Sequence, residues 1–290
     1  SEVRSCRFLP FERWANGTRF ATENVPAMPH NDDLIADLSE LCIELAVEAA
    51  STAASGRSHQ PTFTSATKSS ATDLVTPFDQ AAERFIRAQL STQRPHDGII
   101  GEEENDLSGT SGLTWIVDPI DGTTNFVFGL PAWGCSIAVA RGDQLLAGAV
   151  HIPALSETYS ATSGQGAGCN GSVIAASATS SFDTALIATG FSYHPQRRAQ
   201  QGITVARLLP QVRDIRRSGS AAYDLCCVAA GTIDGYYEEN LSLWDIAAGA
   251  LIAREAGARV EYSPSGARTD IAVVASSPNI FELLRSFVDD

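Results

Sequence analysis

The sequence predicts a layered, mixed α/β fold, and three observations carry that prediction. Helical and strand-like segments alternate through the C-terminal third, a block of β-hairpins occupies 134–168, and short apolar runs ending in carboxylates follow an amphipathic helix. The 290 residues are 44% hydrophobic, which is ample for a core and outside the composition of a disordered chain. At ~150 residues per domain the length allows two domains or one large one. There is no fixed-period repeat and no linker long enough to separate independent domains. We therefore expect one compact body of two subdomains, 28–180 and 181–290, meeting near Ser180. Residues 1–27 mix Arg, Trp, Phe and Pro without a helical or strand period, and lack the basic-then-apolar order of a signal peptide. They read as an appended or poorly ordered extension.

The elements follow in order. Asn31 is placed to cap a helix whose apolar residues Leu34, Ile35, Leu38, Leu41, Cys42 and Leu45 recur at helical spacing. From Ala50 to Ala71 the chain turns to Ser, Thr, Ala and Gly, which reads as a flexible loop holding the isolated Lys68. Thr76-Pro77 opens a second helix, threonine as cap and proline at the first helical position, with Phe78, Ala82, Phe85, Ile86 and Leu90 as its buried stripe. Strands are expected at Gly98–Gly101 and Thr114–Val117. The hairpin block gives strands at Ser136–Ala140 and Leu145–His151 around a turn at Arg141-Gly142-Asp143. Beyond it come a strand at Ala185–Thr189, a helix at Gln196–Leu209, a strand at Asp214–Arg217 and a helix at Ala221–Ala230. A strand at Ile233–Glu238, a helix at Asp245–Ala256, a strand at Ile271–Ala275 and a closing helix to Phe287 complete the chain.

Composition excludes several function classes. The 34 acidic and 20 basic side chains leave a net charge of −14, which opposes direct nucleic-acid binding and fits carboxylates that hold cations. No apolar run reaches the ~18–20 residues of a membrane span. The six cysteines, Cys6, Cys42, Cys135, Cys169, Cys226 and Cys227, are irregularly spaced without a CxxC pair. They form neither a disulfide framework nor a zinc site, and a reducing cytoplasm is the expected location. The five histidines are scattered, and no GxSxG or Cys–His pairing supports a covalent nucleophile.

The densest chemical signal is Trp115-Ile116-Val117-Asp118-Pro119-Ile120-Asp121-Gly122-Thr123-Thr124. A buried strand delivers Asp118, Pro119 sets a turn, Asp121 follows three residues later, and Gly122 lets the backbone approach a ligand. Thr123-Thr124 supply hydroxyls and amides where a short helix begins. Two carboxylates at this spacing can face one ion, helix-start amides suit an anion, and hard oxygen ligands without His or Cys point to Mg²⁺ rather than Zn²⁺. The same tetrad is also an ordinary polar turn. Gly101-Glu102-Glu103-Glu104 after a strand, Asp79 in a first helical turn and Trp244-Asp245 opening a late helix add carboxylates at element ends. Each has a plain reading, as a solvated run or a helix-dipole preference; together they suggest one site.

WIVDPIDGTTNF at 115–126 and WDIAAGALIAREAG at 244–257, with GEE upstream, resemble the two signatures of the inositol monophosphatase family of Mg²⁺-dependent, Li⁺-sensitive phosphatases. The resemblance runs from about Met28 to the C-terminus and includes the spacing from Lys68 through Asp79 to Glu102. It implies a layered α-β-α-β-α sandwich of the sugar-phosphatase type and a homodimer. It also implies two to three Mg²⁺ ions, one held by Glu102, Asp118 and the Ile120 carbonyl, another between Asp118, Asp121 and Asp245, with Glu102 and waters serving a weaker third. Thr123, with Glu102 and the first metal, then activates the attacking water. The Gly122 and Thr123 amides hold the phosphate, Asp79 orients the water and Thr123, and Lys68 lies on a loop near the third metal.

Substrate choice is less constrained. Thr124-Asn125-Phe126 is similar to the inositol phosphatase branch, whereas lysine after DPIDGT would point to histidinol phosphate or phosphoadenosine phosphate. Gly219-Ser220-Ala221 and Glu238, with Asp121, match positions that contact inositol hydroxyls in the family, and a carboxylate suits a polyol. Gly219-Ser220-Ala221 also reads as a tight turn with a serine cap. Phe128 and Ser242 depart from some members, while Asp224 and Glu239 add charge near the mouth or are solvated surface groups. The reading is therefore a phosphomonoesterase acting on inositol monophosphate. One alternative is the same chemistry on another small ester, histidinol phosphate, fructose 1,6-bisphosphate or phosphoadenosine phosphate; the other is an RNA- or transcription-associated binding protein with incidental activity. Some bacterial relatives act as RNA- or transcription-associated binding proteins, but here basic spots are isolated, at Arg197-Arg198 and Arg216-Arg217.

Overall fold

The computed structural model describes residues 32–60, 65–67, 74–263 and 269–289. The expectations placed on residues 1–27, Asn31 and Lys68 lie outside these residues. Five layers stack in the order helix, sheet, helix, sheet, helix, as the sequence leads one to expect. Helices α1 (Asp32–His59) and α2 (Pro77–Gln93) cover the outer face of a seven-stranded sheet, whose strands run in chain order. These are β3 (Gly98–Gly101), β4 (Leu113–Asp121), β5 (Gly134–Arg141), β6 (Gln144–Ile152), β7 (Glu157–Thr162), β8 (Ala167–Cys169) and β9 (Ser172–Val173). A two-residue ladder of β1 (Ala66–Thr67) with β2 (Leu74–Val75) precedes α2, and the short helix α3 (Thr123–Phe128) follows β4.

The second sheet takes the order β11-β10-β12-β14-β13. Its members are β10 (Leu186–Thr189), β11 (Asp214–Arg216), β12 (Gly235–Ser242), β13 (Arg259–Ser263) and β14 (Thr269–Ser276). Between the sheets lie α5 (Ala221–Ala229) and α6 (Leu243–Glu255), while α4 (Pro195–Leu208) and α7 (Phe281–Asp289) form the far outer layer. The period-2 alternation of strands divides the core accordingly. On β5, Ile137 and Val139 face α1 and α2, whereas Ala138 and Ala140 face α5 and α6; on β14, Val273 and Ala275 face inward and Ala272 and Val274 outward. Helix α6 is apolar on nearly every side, Ile246 to Ala253 being buried, as a helix enclosed by two sheets requires.

Three sequence expectations need correction. The stretch from Ala50 is not a loop: α1 continues to His59, because Ala49, Ala50 and Ala53 are small enough to bury against the sheet and alanine favours helix. Strand β13 was not anticipated, although Val260 and Tyr262 alternate inward between polar residues. Strand β12 runs on past Glu238 to Ser242 through a register shift, with Asn240 in the left-handed region at φ +66°. Among the described residues no helix is long and apolar enough to cross a membrane.

Candidate active site

On a regular strand, residues three apart face opposite sides, so Asp118 and Asp121 would be separated by the sheet. The pairing of β4 with β5 prevents that. Asp118 lies opposite Ser136 but Asp121 opposite Gly134, so one extra residue bulges out of β4. The bulge turns both carboxylates toward one side, and Asp118 Oδ1 accepts the Ile120 N–H at 3.0 Å within it. Gly122, at φ +87°, then enters α3 through a conformation that side chains rarely adopt.

Asp245 arrives from the middle layer. It is the third residue of α6 and part of a capping box, its Oδ2 accepting the Ser242 N–H at 2.6 Å. Ser136 donates to the Trp244 carbonyl at 3.4 Å, tying β5 to the same helix start. As a result, one carboxylate oxygen each from Asp118, Asp121 and Asp245 lies within 4.8 Å of the others. Glu102, just past β3, shares a hydrogen bond with Asp118, and its charge also reaches Asp121 and Asp245.

These carboxyls are held far from their ordinary titration. Burial, then the charges of Glu102, Asp121 and Asp245, push Asp118 well above the usual carboxylate range. Burial, then Asp121 and Glu102, do the same to Asp245. Asp121 rises to about 6 through burial, moderated by hydrogen bonds from Ser220 Oγ at 2.6 Å and the Ala222 N–H at 2.7 Å. Oxygen donors this crowded and buried form the hard, acidic set that a small divalent cation fits.

Asp79 and Thr123 meet beside this cluster. Asp79 is wholly buried at the third position of α2, where Oδ2 accepts the Thr76 N–H at 2.8 Å and hydroxyl at 2.5 Å. Its other oxygen accepts the Thr123 hydroxyl at 3.2 Å, and the Ile120 carbonyl lies 3.1 Å from the same hydroxyl. The Thr123 hydroxyl is thus supplied with acceptors for its hydrogen, which leaves its lone pairs free to receive a hydrogen bond.

Gly219-Ser220-Ala221 form the turn into α5, and Ser220 both caps that helix and donates to Asp121. Its hydroxyl hydrogen is therefore directed at Asp121. Glu238 is half-buried on β12 and accepts the Tyr236 hydroxyl at 2.7 Å; burial raises it to about 7, against the nearby positive charge of Arg217. Gly190, the residue just past the end of the parallel neighbour β10, has no room for a side chain: a Cβ there would lie 1.9–2.1 Å from the Glu238 carboxyl atoms. Asp224 is not a solvated surface group. It faces inward from α5, 1% exposed, with burial raising it to about 8 and one oxygen unpaired among the described residues. Glu239 is half-buried and also raised, chiefly by burial. Beside Thr124 an open cleft of about 820 Å³ is lined by Phe128, Phe191, Tyr193, Arg198 and Arg217 among others. Phe128 projects at 73% exposure, and Ser242 caps α6.

Two residues to which the sequence reading gave no structural role also shape this site. Asn125 donates to the Ala132 and Ser218 carbonyls at 2.5 and 2.8 Å, joining α3 to the turn before α5. Glu83 is wholly buried on α2, four residues after Asp79, and binds the backbone after Glu102. The signal was present: an acidic residue inside an apolar stripe, one helical turn from another buried carboxylate.

The Inositol monophosphatase family model matches residues 35–284. The chain belongs to the inositol monophosphatase family. Inositol-1-monophosphatase SuhB of Mycobacterium tuberculosis is 45% identical over 227 residues, 75% of this chain and 78% of that protein. Nus factor SuhB of Escherichia coli is 37% identical over 234 residues, covering 79% and 88%. The crystal structure of extragenic suppressor protein suhB from Bartonella henselae superposes with a TM-score of 0.81 at 33% identity, over 86% of this chain and 97% of that one. The five-layered sandwich is thus the fold of this family, and membership makes the chain a phosphatase-family protein with an acidic cluster able to hold metal.

Proposed function

We propose that the protein is a Mg²⁺-dependent phosphomonoesterase that hydrolyses inositol monophosphate to inositol and phosphate. The observation that carries this reading is the convergence of Asp118, Asp121 and Asp245 beside a Thr123 hydroxyl held by Asp79. Glu102, Asp118 and the Ile120 carbonyl would hold one ion, and Asp118, Asp121 and Asp245 a second, with Glu102 serving a weaker third. When bound, the cations neutralise charge on the ester's entering and leaving oxygens and make water more acidic. The protein's own groups supply the rest. The Gly122 and Thr123 amides receive phosphate oxygens. Thr123, oriented by Asp79 and the Ile120 carbonyl, accepts a hydrogen bond from the attacking water and aligns it, with Glu102 as the adjacent base.

For the alcohol portion, Glu238 and Asp121 accept hydroxyl hydrogens at the turn formed by Gly219, Ser220 and Ala221. The cleft beyond Thr124 has room for the leaving group. We also read residues 28–180 and 181–290 as two subdomains, the first supplying Glu102, Asp118 and Asp121 and the second Asp245. Lys68 is assigned to the loop near the third ion, Li⁺ to inhibition, and the working form to a cytoplasmic homodimer. The name of the Escherichia coli relative, a Nus factor, supports a second reading in which the protein associates with transcription complexes. The net charge of −14 weighs against direct RNA contact in that case.

The test is phosphate release from inositol 1-phosphate, histidinol phosphate, fructose 1,6-bisphosphate, phosphoadenosine phosphate and β-glycerophosphate, with and without Mg²⁺ and Li⁺. Mg²⁺-dependent, Li⁺-inhibited turnover greatest on inositol 1-phosphate is expected. Greater turnover of another ester would overturn the substrate. No turnover by folded, Mg²⁺-supplied protein would leave the binding reading.

A further inference from the structure

Glu83 occupies an unusual position for a carboxylate. It is wholly buried, yet its oxygens are fully engaged. Arg87, one turn further along α2, reaches Oε1 through Nε at 2.8 Å and Nη2 at 2.7 Å. The Glu103 N–H donates to Oε2 at 2.7 Å and the Glu104 N–H to Oε1 at 3.1 Å, while Arg87 also donates to the Glu104 carbonyl at 3.2 Å. These are the residues immediately after Glu102. On the other side, Gly101 closes against the same carboxylate: a Cβ there would lie 2.2 Å from Oε1. Glu102 is therefore the one residue between two points anchored on Glu83.

A buried ion pair of this kind is weak evidence for a stabilising role, since desolvation offsets much of the attraction. The direction of its bonds is more informative. They run to a turn whose middle residue points at Asp118, and the same helix face, one turn earlier, carries the Asp79 that holds Thr123. We propose that Glu83, with Arg87, is a positioning residue that fixes Glu102 for divalent-cation binding, and that Gly101 is a glycine so that this clamp can close. The inference rests on the reading of Glu102 as a cation ligand. A partner that orients a ligand without touching the ion typically changes metal affinity by about 10–100-fold.

The experiment is calorimetric titration of metal-free protein with Mg²⁺ alone, for wild type, Glu83→Gln, Gly101→Ala and Glu102→Gln, with circular dichroism as the fold control. Glu83→Gln keeps the volume but removes the charge, whereas Gly101→Ala keeps every charge and displaces the carboxylate. Both are expected to fold and to bind Mg²⁺ about 10–100-fold more weakly. In the assay, phosphatase kcat should return toward wild type when Mg²⁺ is raised by the same factor, with KM for the ester little changed. If Glu102→Gln weakens Mg²⁺ binding and folded Glu83→Gln and Gly101→Ala do not, the clamp is refuted and the ligand reading stands. If Glu102→Gln binds Mg²⁺ as wild type does, the ligand reading itself falls and takes the clamp with it. Loss of fold in both clamp variants would also overturn the proposal, because Glu83 would then be a determinant of the fold rather than of the site.

Discussion

Gly190→Ala is a one-methyl change whose effect can be worked out from the structure. Ordinary contacts to a Cβ begin near 3.4 Å, but this one would lie 1.9–2.1 Å from all three Glu238 carboxyl atoms. The backbone of β10 has little freedom to retreat, since Ile187, Ala188 and Thr189 are buried and paired to β11 and β12. The carboxyl, the far end of a flexible side chain, must therefore swing aside by more than ~1 Å, at little strain of its own. It thereby leaves the wholly buried Tyr236 hydroxyl, now 2.7 Å away, without its acceptor. That loss costs about 1–3 kcal/mol, and a chain of this size should melt several degrees lower. Removing a charged acceptor from a polyol hydroxyl should reduce kcat/KM for inositol 1-phosphate by about 10–100-fold. An aryl phosphate, lacking those hydroxyls, should be hydrolysed nearly as before. Glu238→Gln is the comparator, expected to weaken the polyol ester more than the aryl ester. Thermal denaturation and phosphate release on both esters measure these effects. A Gly190→Ala protein with wild-type melting and an unchanged ratio of the two activities would refute the reasoning.

Three further outcomes are expected. Asp118→Asn should abolish turnover and leave circular dichroism unchanged, since the proposed mechanism has Asp118 serve both ions; retention of more than a small residual activity would contradict that shared role. Asp121 titrates near 6 in the fold against 3.8 when exposed, so its contribution is fully present below 3.8 and is lost as pH rises through about 6. In urea titrations without metal, wild type should therefore weaken relative to Asp121→Asn between pH 4 and 7, and parallel pH profiles would count against the shift. Added Mg²⁺ should restore wild type at pH 7 in proportion to its occupancy, and should do little for Asp121→Asn at the same concentration.

Much of this arrangement was legible because short motifs announce it. Thr76-Pro77 foretold the start of α2, and the capping box with Asp79 is there. The run from Trp115 to Thr124 foretold a buried strand and a helix start, but not that the strand continues through Pro119 to Asp121, where the sequence reading sets a turn. What it could not foretell is why Asp118 and Asp121 share a side, because the bulge depends on how β4 registers with β5. Ala50 to His59 looked like a loop because alanine and serine carry no amphipathic stripe, yet small side chains are what a close helix–sheet contact requires. For Asp224 the sequence leaves open charge near the mouth or a solvated surface group, because its inward orientation is set by α5 lying between two sheets, a tertiary fact. Glu83 shows the reverse case. Its i, i+4 relation to Asp79 and Arg87 was visible, but an acidic residue on a helix has a plain solvated reading until the turn after Glu102 is seen to end on it.

The enclosure of α6 has a consequence for how the molecule assembles. Its first turn carries Asp245, and its flanks touch both sheets, so the helix must be seated at one height. A slip of one helical turn would carry Asp245 about 5.4 Å along the axis, farther than the 4.8 Å that spans the three carboxylates. The proposed cation binding would therefore gauge correct seating, because an arrangement closed one notch out of register does not bring the three carboxylates together. Mutual repulsion of the same carboxylates also opposes the last stage of closure. Refolding monitored by tryptophan fluorescence should thus show a final phase that Mg²⁺ accelerates, while earlier collapse proceeds at the same rate with or without it.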